Sequence, residues 1–260
     1  MTLPIKRRYG WKPDLPDKRD FYYKKLSRKE KLQVLPKKVD LVDTKLFPAI
    51  YNQGNTSSCT AQGIAAAVYF DRAKQKLPVF NPSRLFIYWN ERVMEGSTMS
   101  DDGAIIRDGV KSLAKVGYCN EDIWKFDESL LLKKPSNDCF NQSKKYKSLS
   151  YYRIDNSKIR DIKNCLAQGF PIVFGATLYA SFDEADKAAG VVPLPKKDEE
   201  ILGGHCMLLV GYDDDKNLFK IRNSWGEESG DKGYNYFPYD YLVDTDLADD
   251  FWTIRSVIDN

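Results

Sequence analysis

The chain has 260 residues, 42% of them hydrophobic, and charges of both signs that nearly cancel at a net +3. That length suits one large domain or two lobes sharing a cleft, and the charge balance excludes a strongly basic nucleic-acid binder. No stretch is apolar for long enough to span a membrane, and a single histidine with no CxxC pair excludes an ordinary structural zinc site, so neither metal nor cofactor is expected.

The first 34 residues are charged and poorly periodic. Met1–Arg8 is basic but is not followed by the apolar run of a secretory signal, so an intracellular protein, or one packaged in a particle, is expected. Gly10-Trp11-Lys12-Pro13-Asp14-Leu15-Pro16-Asp17 reads as an extended arm, because each proline biases its predecessor toward extended backbone. Tyr9, Trp11, Phe21, Tyr22 and Tyr23 are too many aromatics for a free tail, which predicts that the arm docks on the rest of the chain. The densest basic run, Lys24–Lys31, is short and broken by Glu30, and reads as solvated surface.

Residues 35–145 are predicted to be helical. A helix over 57–76 has Ser57 or Ser58 as cap and Ile64, Ala65, Val68 and Tyr69 at helical spacing. A second spans 82–94 from Pro82, and a third spans 104–115 with Gly117 as its stop. The polar, lysine-rich residues 127–148 read as a surface connection. Residues 146–260 change character. One more helix, carrying Ile159, Ile162, Cys165 and Leu166, stops at Gly169; strand-like runs follow at 171–174, 206–212, 218–222 and 251–254. Gly203-Gly204 reads as a turn with His205 at the mouth of the strand behind it, and residues 213–217 read as a hairpin. A helical lobe followed by a β-rich lobe makes an α+β fold.

The five cysteines, Cys59, Cys119, Cys139, Cys165 and Cys206, are odd in number and favour free thiols, with the pairing of Cys119 and Cys139 left open. Cys165 and Cys206 lie in apolar runs and read as small buried hydrophobes. Cys59 differs, because it falls in the first turn of the 57–76 helix. Unpaired N–H groups and the positive end of the helix dipole favour a thiolate there. A helix terminus supplies at most about 2 kcal/mol, so a reactive thiolate also needs a nearby cation, and His205 is the one imidazole in the chain. Taken singly, each residue has a plainer reading: Cys59 as a core thiol, His205 as a satisfied core histidine, Gln53 as a surface amide, Asn223 as a local cap and Trp225 as core.

Together they are not so plain. Gln53 six residues before Cys59, then Gly203-Gly204-His205, then Asn223-Ser224-Trp225-Gly226, with Gly211-Tyr212 and Gly230–Tyr234 around them, resemble the papain family of cysteine proteases over most of the chain. The run Tyr9–Asp20 resembles the short N-terminal arm of its bacterial or viral members. The resemblance implies a two-lobe fold with a helical left lobe, an antiparallel β-barrel-like right lobe and a cleft between them. It implies a cysteine endopeptidase acting on protein or peptide substrates, with Cys59 as nucleophile, His205 as its proton partner and Asn223 orienting the ring. Gln53 and the Cys59 N–H would hold the oxyanion, and Trp225 would shield the His205–Asn223 bond. Asp102, Gly103, Gly175, Gly203, Gly204 and Trp225 would meet substrate, the two glycines Gly175 and Gly203 leaving room for a large apolar or aromatic side chain. Residues 1–34 would lie over the cleft as an intramolecular inhibitor. Thr56, Thr60 and Ser229 depart from the family pattern, and Thr56 removes a disulfide half. The same residues would serve other acyl chemistry, and a silent binding scaffold is the competing reading from outside catalysis.

Overall fold

The computed structural model describes residues 7–23 and 34–259. Met1–Lys6 and the Lys24–Lys31 run lie outside them. Three helices dominate the first half: α1 (Cys59–Lys74), α2 (Arg84–Glu95) and α3 (Ile106–Lys115), followed by the short α4 (Asn137–Ser143). The second half builds a seven-stranded sheet. Its strands β2 (Tyr146–Ile154), β3 (Ile172–Tyr179), β4 (Ile201–Asp213), β5 (Leu218–Arg222), β6 (Tyr234–Pro238) and β7 (Ala248–Asp259) run in the order β2-β7-β3-β4-β5-β6. The short β1 (Lys38–Asp40) crosses over from the first half to pair with β4. Helices α5 (Ile159–Ala167), α6 (Ala180–Lys187) and α7 (Tyr239–Val243) fill the connections.

Helix α1 is buried on almost every side, which its small side chains Ala61, Ala65, Ala66 and Ala67 permit. Gly63 lets it settle on the sheet, since a Cβ there would stand 3.4 Å from Cys206 Sγ. Ile64 and Val68 of α1 share a core with Val173, Leu208 and Trp252 of the sheet, and a second core lies around Phe174, Met207, Phe219 and Phe237. Ser83 caps α2 by accepting from Phe86 N–H, and Gly96 ends it at φ +70°. Because α1 abuts β4, the helix start and the sheet meet along one seam, and that seam is where the predicted functional residues lie.

Two expectations need correcting. Gly203 and Gly204 are not a turn but lie inside β4, paired with Leu178 and Thr177. Residues 127–148 are not merely a surface connection. They hold α4, which buries Cys139 and Ser143, and the start of β2. Only a few apolar contacts anchor α4 in a lysine-rich stretch, so the sequence pattern is too weak to show it. Strands β1, β2 and β6 and helix α6 are likewise unannounced by periodicity. All five cysteines are buried free thiols, and Cys119 and Cys139 meet beside Phe86.

Candidate active site

Cys59 is the first residue of α1. Its cap, Ser58, makes no side-chain bond to the helix N–H groups; its hydroxyl pairs with Thr56 Oγ1 at 2.7 Å and accepts from Gln62 Nε2 at 3.0 Å. Cys59 Sγ accepts from the N–H of Cys206, the residue after His205, at 3.4 Å. Thr60, next to Cys59, donates to Glu91 Oε2 at 2.8 Å, and burial pushes that carboxyl up to about 8.

β4 and β5 pair antiparallel, Leu208 opposite Arg222, so His205 and Asn223 reach the same end of the hairpin. His205 Nε2 lies 2.9 Å from Asn223 Oδ1, and Trp225 stacks on the imidazole with centroids 4.6 Å apart at 26°. Nδ1 of His205 has no hydrogen-bond partner among the described residues, so it is the nitrogen left to exchange a proton with the thiol. Asn223 is held in turn: its Oδ1 accepts from Ser224 N–H at 2.8 Å and its Nδ2 donates to Asn235 Oδ1 at 3.0 Å. Asn235 then donates to Asp186 Oδ1 at 2.9 Å.

Gln53 is fully buried and pinned to the loop that carries Asn223. Its N–H donates to Ser224 O at 2.8 Å, and Gly226 N–H donates to Tyr51 O at 3.0 Å. The Ser224 hydroxyl donates to Gln53 Oε1 at 2.7 Å, which turns the amide so that Nε2 donates to Thr56 O at 2.8 Å and to Arg8 O at 3.2 Å. Ser224 is a positioning residue that sequence reasoning passed over. Asn235 and Asp186 are two more, since nothing local in the sequence links them to His205.

The cleft is occupied by the chain's own arm. Trp11 N–H donates to Gly204 O at 2.9 Å; on the opposite wall Ala104 N–H donates to Gly10 O at 2.8 Å and Lys12 N–H to Ala104 O at 3.0 Å. Tyr9 meets His205 and Trp225 edge-on. Trp11 lies over Gly175, where a Cβ would come within 2.0 Å of its ring, and Tyr9 lies over Gly203. Of the predicted substrate contacts, Gly175, Gly203, Gly204 and Trp225 thus touch the arm. Asp102 and Gly103 do not pair with the arm through their backbone. Asp102 is exposed, and the Gly103 N–H is taken by Tyr88 Oη at 3.1 Å, so the pairing falls to Ala104. Gly103 instead makes room: at φ +82°, a Cβ would stand 2.0 Å from Gly10 O. Asp101 rather than Asp102 faces the arm, pairing with Arg8 at 3.1 Å and accepting from Ser57 N–H and Tyr88 Oη.

Cys59 and His205 are both fully buried in the covered cleft. Burial pushes the Cys59 thiol up to about 12 against the N–H groups of Cys206, Gly10 and Thr60, which pull it down. Burial pushes His205 down to about 4 against its bond to Asn223, which pulls it up. Beneath the arm both partners are therefore neutral near pH 7. No cluster of three metal-ligating side chains occurs among the described residues. No helix among them is long and apolar enough to cross a membrane.

The chain is similar to known proteins over most of its length. Residues 35–246 match the model of the papain family of cysteine proteases. An uncharacterised peptidase C1-like protein of Acanthamoeba polyphaga mimivirus is 39% identical over 99% of this chain and 90% of its own length. The solved structure of xylellain, a cysteine protease from Xylella fastidiosa, is 42% identical with a TM-score of 0.85, covering 98% of this chain and 99% of that one. Digestive procathepsin L 3 of Tenebrio molitor larval midgut shares the fold at 17% identity, with a TM-score of 0.71 over 91% of this chain and 74% of that one. The chain belongs to the papain family of cysteine proteases, with a two-lobe α+β fold whose cleft lies between the start of α1 and the ends of β4 and β5.

Proposed function

We propose that the chain is an endopeptidase that cleaves peptide bonds through Cys59 and His205, and that its N-terminal arm holds it latent. The observation that carries this reading is the arm itself. An extended peptide is gripped by backbone hydrogen bonds from both walls of the cleft, at Gly204 and Ala104, with one of its carbonyls on Gln53 Nε2. A cleft built to grip main chain on both sides suits a polypeptide substrate better than a small amide.

With the arm displaced, water and substrate reach the pair, and a proton passes from Cys59 to His205 Nδ1. The thiolate attacks the scissile carbonyl carbon, and the negative oxygen that forms is held by Gln53 Nε2 and the Cys59 N–H. His205 gives its proton to the leaving amine, the C–N bond breaks, and a thioester remains on Cys59. Water then attacks the thioester with His205 as base, which releases the acid and restores the thiol. Asn223 keeps the ring in register throughout, and Trp225 covers that bond. The space over Gly175 suits a large aromatic substrate side chain, as Trp11 occupies it in the covered state.

A peptidyl vinyl sulfone, applied to the chain lacking residues 1–12 so that Cys59 is uncovered, tests the chemistry. It should alkylate Cys59 alone of the five thiols, and intact-mass and peptide analysis should find the adduct there. Slow labelling spread over several cysteines would sink the reading. Ser224→Ala should lower kcat about tenfold with little change in KM, because Gln53 loses the bond that aims its amide at the oxyanion and not at the ground state. An equal fall in binding and turnover would count against that role.

A further inference from the structure

Arg7 has a seat that the catalytic scheme does not use. Its Nη2 pairs with Asp186 Oδ2 at 2.6 Å and its Nη1 with Asp183 Oδ1 at 3.1 Å, while its Cζ stands 4.2 Å above the Trp225 ring. This is a planar fork of donors on two carboxylates with an aromatic face beneath, the arrangement that suits a guanidinium best. Trp225 cannot swing away, since it is stacked on His205 and held edge-on by Phe182 at 5.5 Å.

Asp186 is the telling residue. Its side chain is 1% exposed. Oδ1 accepts from Ser229 Oγ at 2.7 Å and from Asn235 Nδ2 at 2.9 Å, both neutral donors. Among the described residues Arg7 is its one cationic partner and the one donor to Oδ2. A buried carboxylate without a counter-charge is costly. Once the arm leaves, as any substrate requires, Oδ2 of Asp186 and the half-exposed Asp183 line the cleft as an unneutralised pair beside the Trp225 face. Along the arm, Arg7 and the Trp11 pocket lie on opposite sides of the Cys59–His205 pair.

We propose that Asp186, Asp183 and the face of Trp225 form a substrate subsite for a basic side chain, arginine above lysine, on the side of the scissile bond away from the pocket that holds Trp11. The subsite rests on the endopeptidase reading and adds a substrate class to it: peptides carrying an aromatic residue on one side of the cut and a basic residue on the other. Arg7 fills the subsite in the covered chain as a surrogate for that residue.

The test uses the full chain carrying Trp11→Ala, which removes the arm's pocket anchor and leaves the subsite intact. Internally quenched peptides with a fixed aromatic residue vary Arg, Lys, Gln or Glu at each position beyond the cut. At one position kcat/KM should be at least about tenfold higher for Arg than for Gln, with Lys between them and Glu lowest. In Asp183→Asn, a part-exposed position that tolerates the change, the Arg-to-Gln ratio at that position should fall toward one; Asp186→Asn should do the same. Cleavage with equal rates for Arg and Gln at every such position would overturn the subsite, as would a ratio unmoved in both variants. Cleavage of none of the peptides, with Cys59 still alkylated by the vinyl sulfone, would overturn the endopeptidase reading and the subsite with it.

Discussion

Replacing His205 by alanine should lower kcat/KM for a peptide substrate by about 10⁴-fold or more, and Cys59→Ser should do the same. His205 is the only histidine in the chain, so no other imidazole can take the thiol proton or return it to the leaving amine. The two losses should not add. A thiol without its base and a base without its thiol are both idle, so the double variant should be no worse than either single one. Both are small-for-large or near-isosteric changes, and the cleft keeps its other supports: Ser224 still fixes Gln53, and Asn235 still fixes Asn223. Steady-state kinetics of the singles and the double, with a thermal unfolding curve for each, make the measurement. A His205→Ala protein that retains more than about a hundredth of the activity while staying folded would end the imidazole mechanism.

The sequence carried the site better than it carried the scaffold around it. Gln53, Cys59, His205 and Asn223 lie together at the seam of α1, β4 and β5, and what marks them in the sequence is their joint order and spacing, which resemble the papain family; singly each has a plainer reading. The supports were not legible. Ser224, Asn235 and Asp186 act through hydrogen bonds between elements far apart in the chain, and Asp186 lies on a helix with no strong pattern of its own. The same limit explains the glycines. Gly203-Gly204 looks like a turn because glycine usually marks one, yet here both lie within a strand, bare because Tyr9 and Trp11 pass over them. Likewise β1 holds three residues and takes its reason from β4, and α4 is fixed by contacts with Phe86 and Cys119 rather than by periodicity. The aromatics of the arm did foretell docking, but not that its two halves dock differently.

Those halves should separate under truncation. Removing residues 1–12 should raise hydrolysis of a short peptide by about 10²-fold, since burying Trp11 alone is worth about 3 kcal/mol and each 1.4 kcal/mol shifts the covered-to-open ratio tenfold. Removing residues 1–34 should instead cost stability. Asp14 and Asp20 both pair with Arg107, at 2.8 and 2.9 Å, and Asp14 also pairs with Arg153. Among the described residues Arg107 then keeps no carboxylate partner, a loss of about 3–5 kcal/mol for a buried pair, and the fully buried Tyr23 leaves the core as well. Urea midpoints should therefore fall by no more than the docking energy of about 3 kcal/mol for the shorter deletion and further for the longer one. A pH series separates cover from keystone more directly. Under the arm, with the thiol at about 12, the thiolate fraction below that value rises tenfold per pH unit, and alkylation of Cys59 by iodoacetamide should climb with that slope from pH 6 to 10. After removal of residues 1–12 the rate should already be on its plateau at neutral pH and fall only in acid, where the thiolate is protonated. The neutral pair beneath the arm and the ion pair in the open cleft hold the same single proton. Opening itself therefore takes up no proton at this pair near neutrality, and the contrast in slope belongs to the thiol's surroundings. A full-length chain whose alkylation is fast and flat near pH 7 would show that the arm does not cover Cys59 in solution.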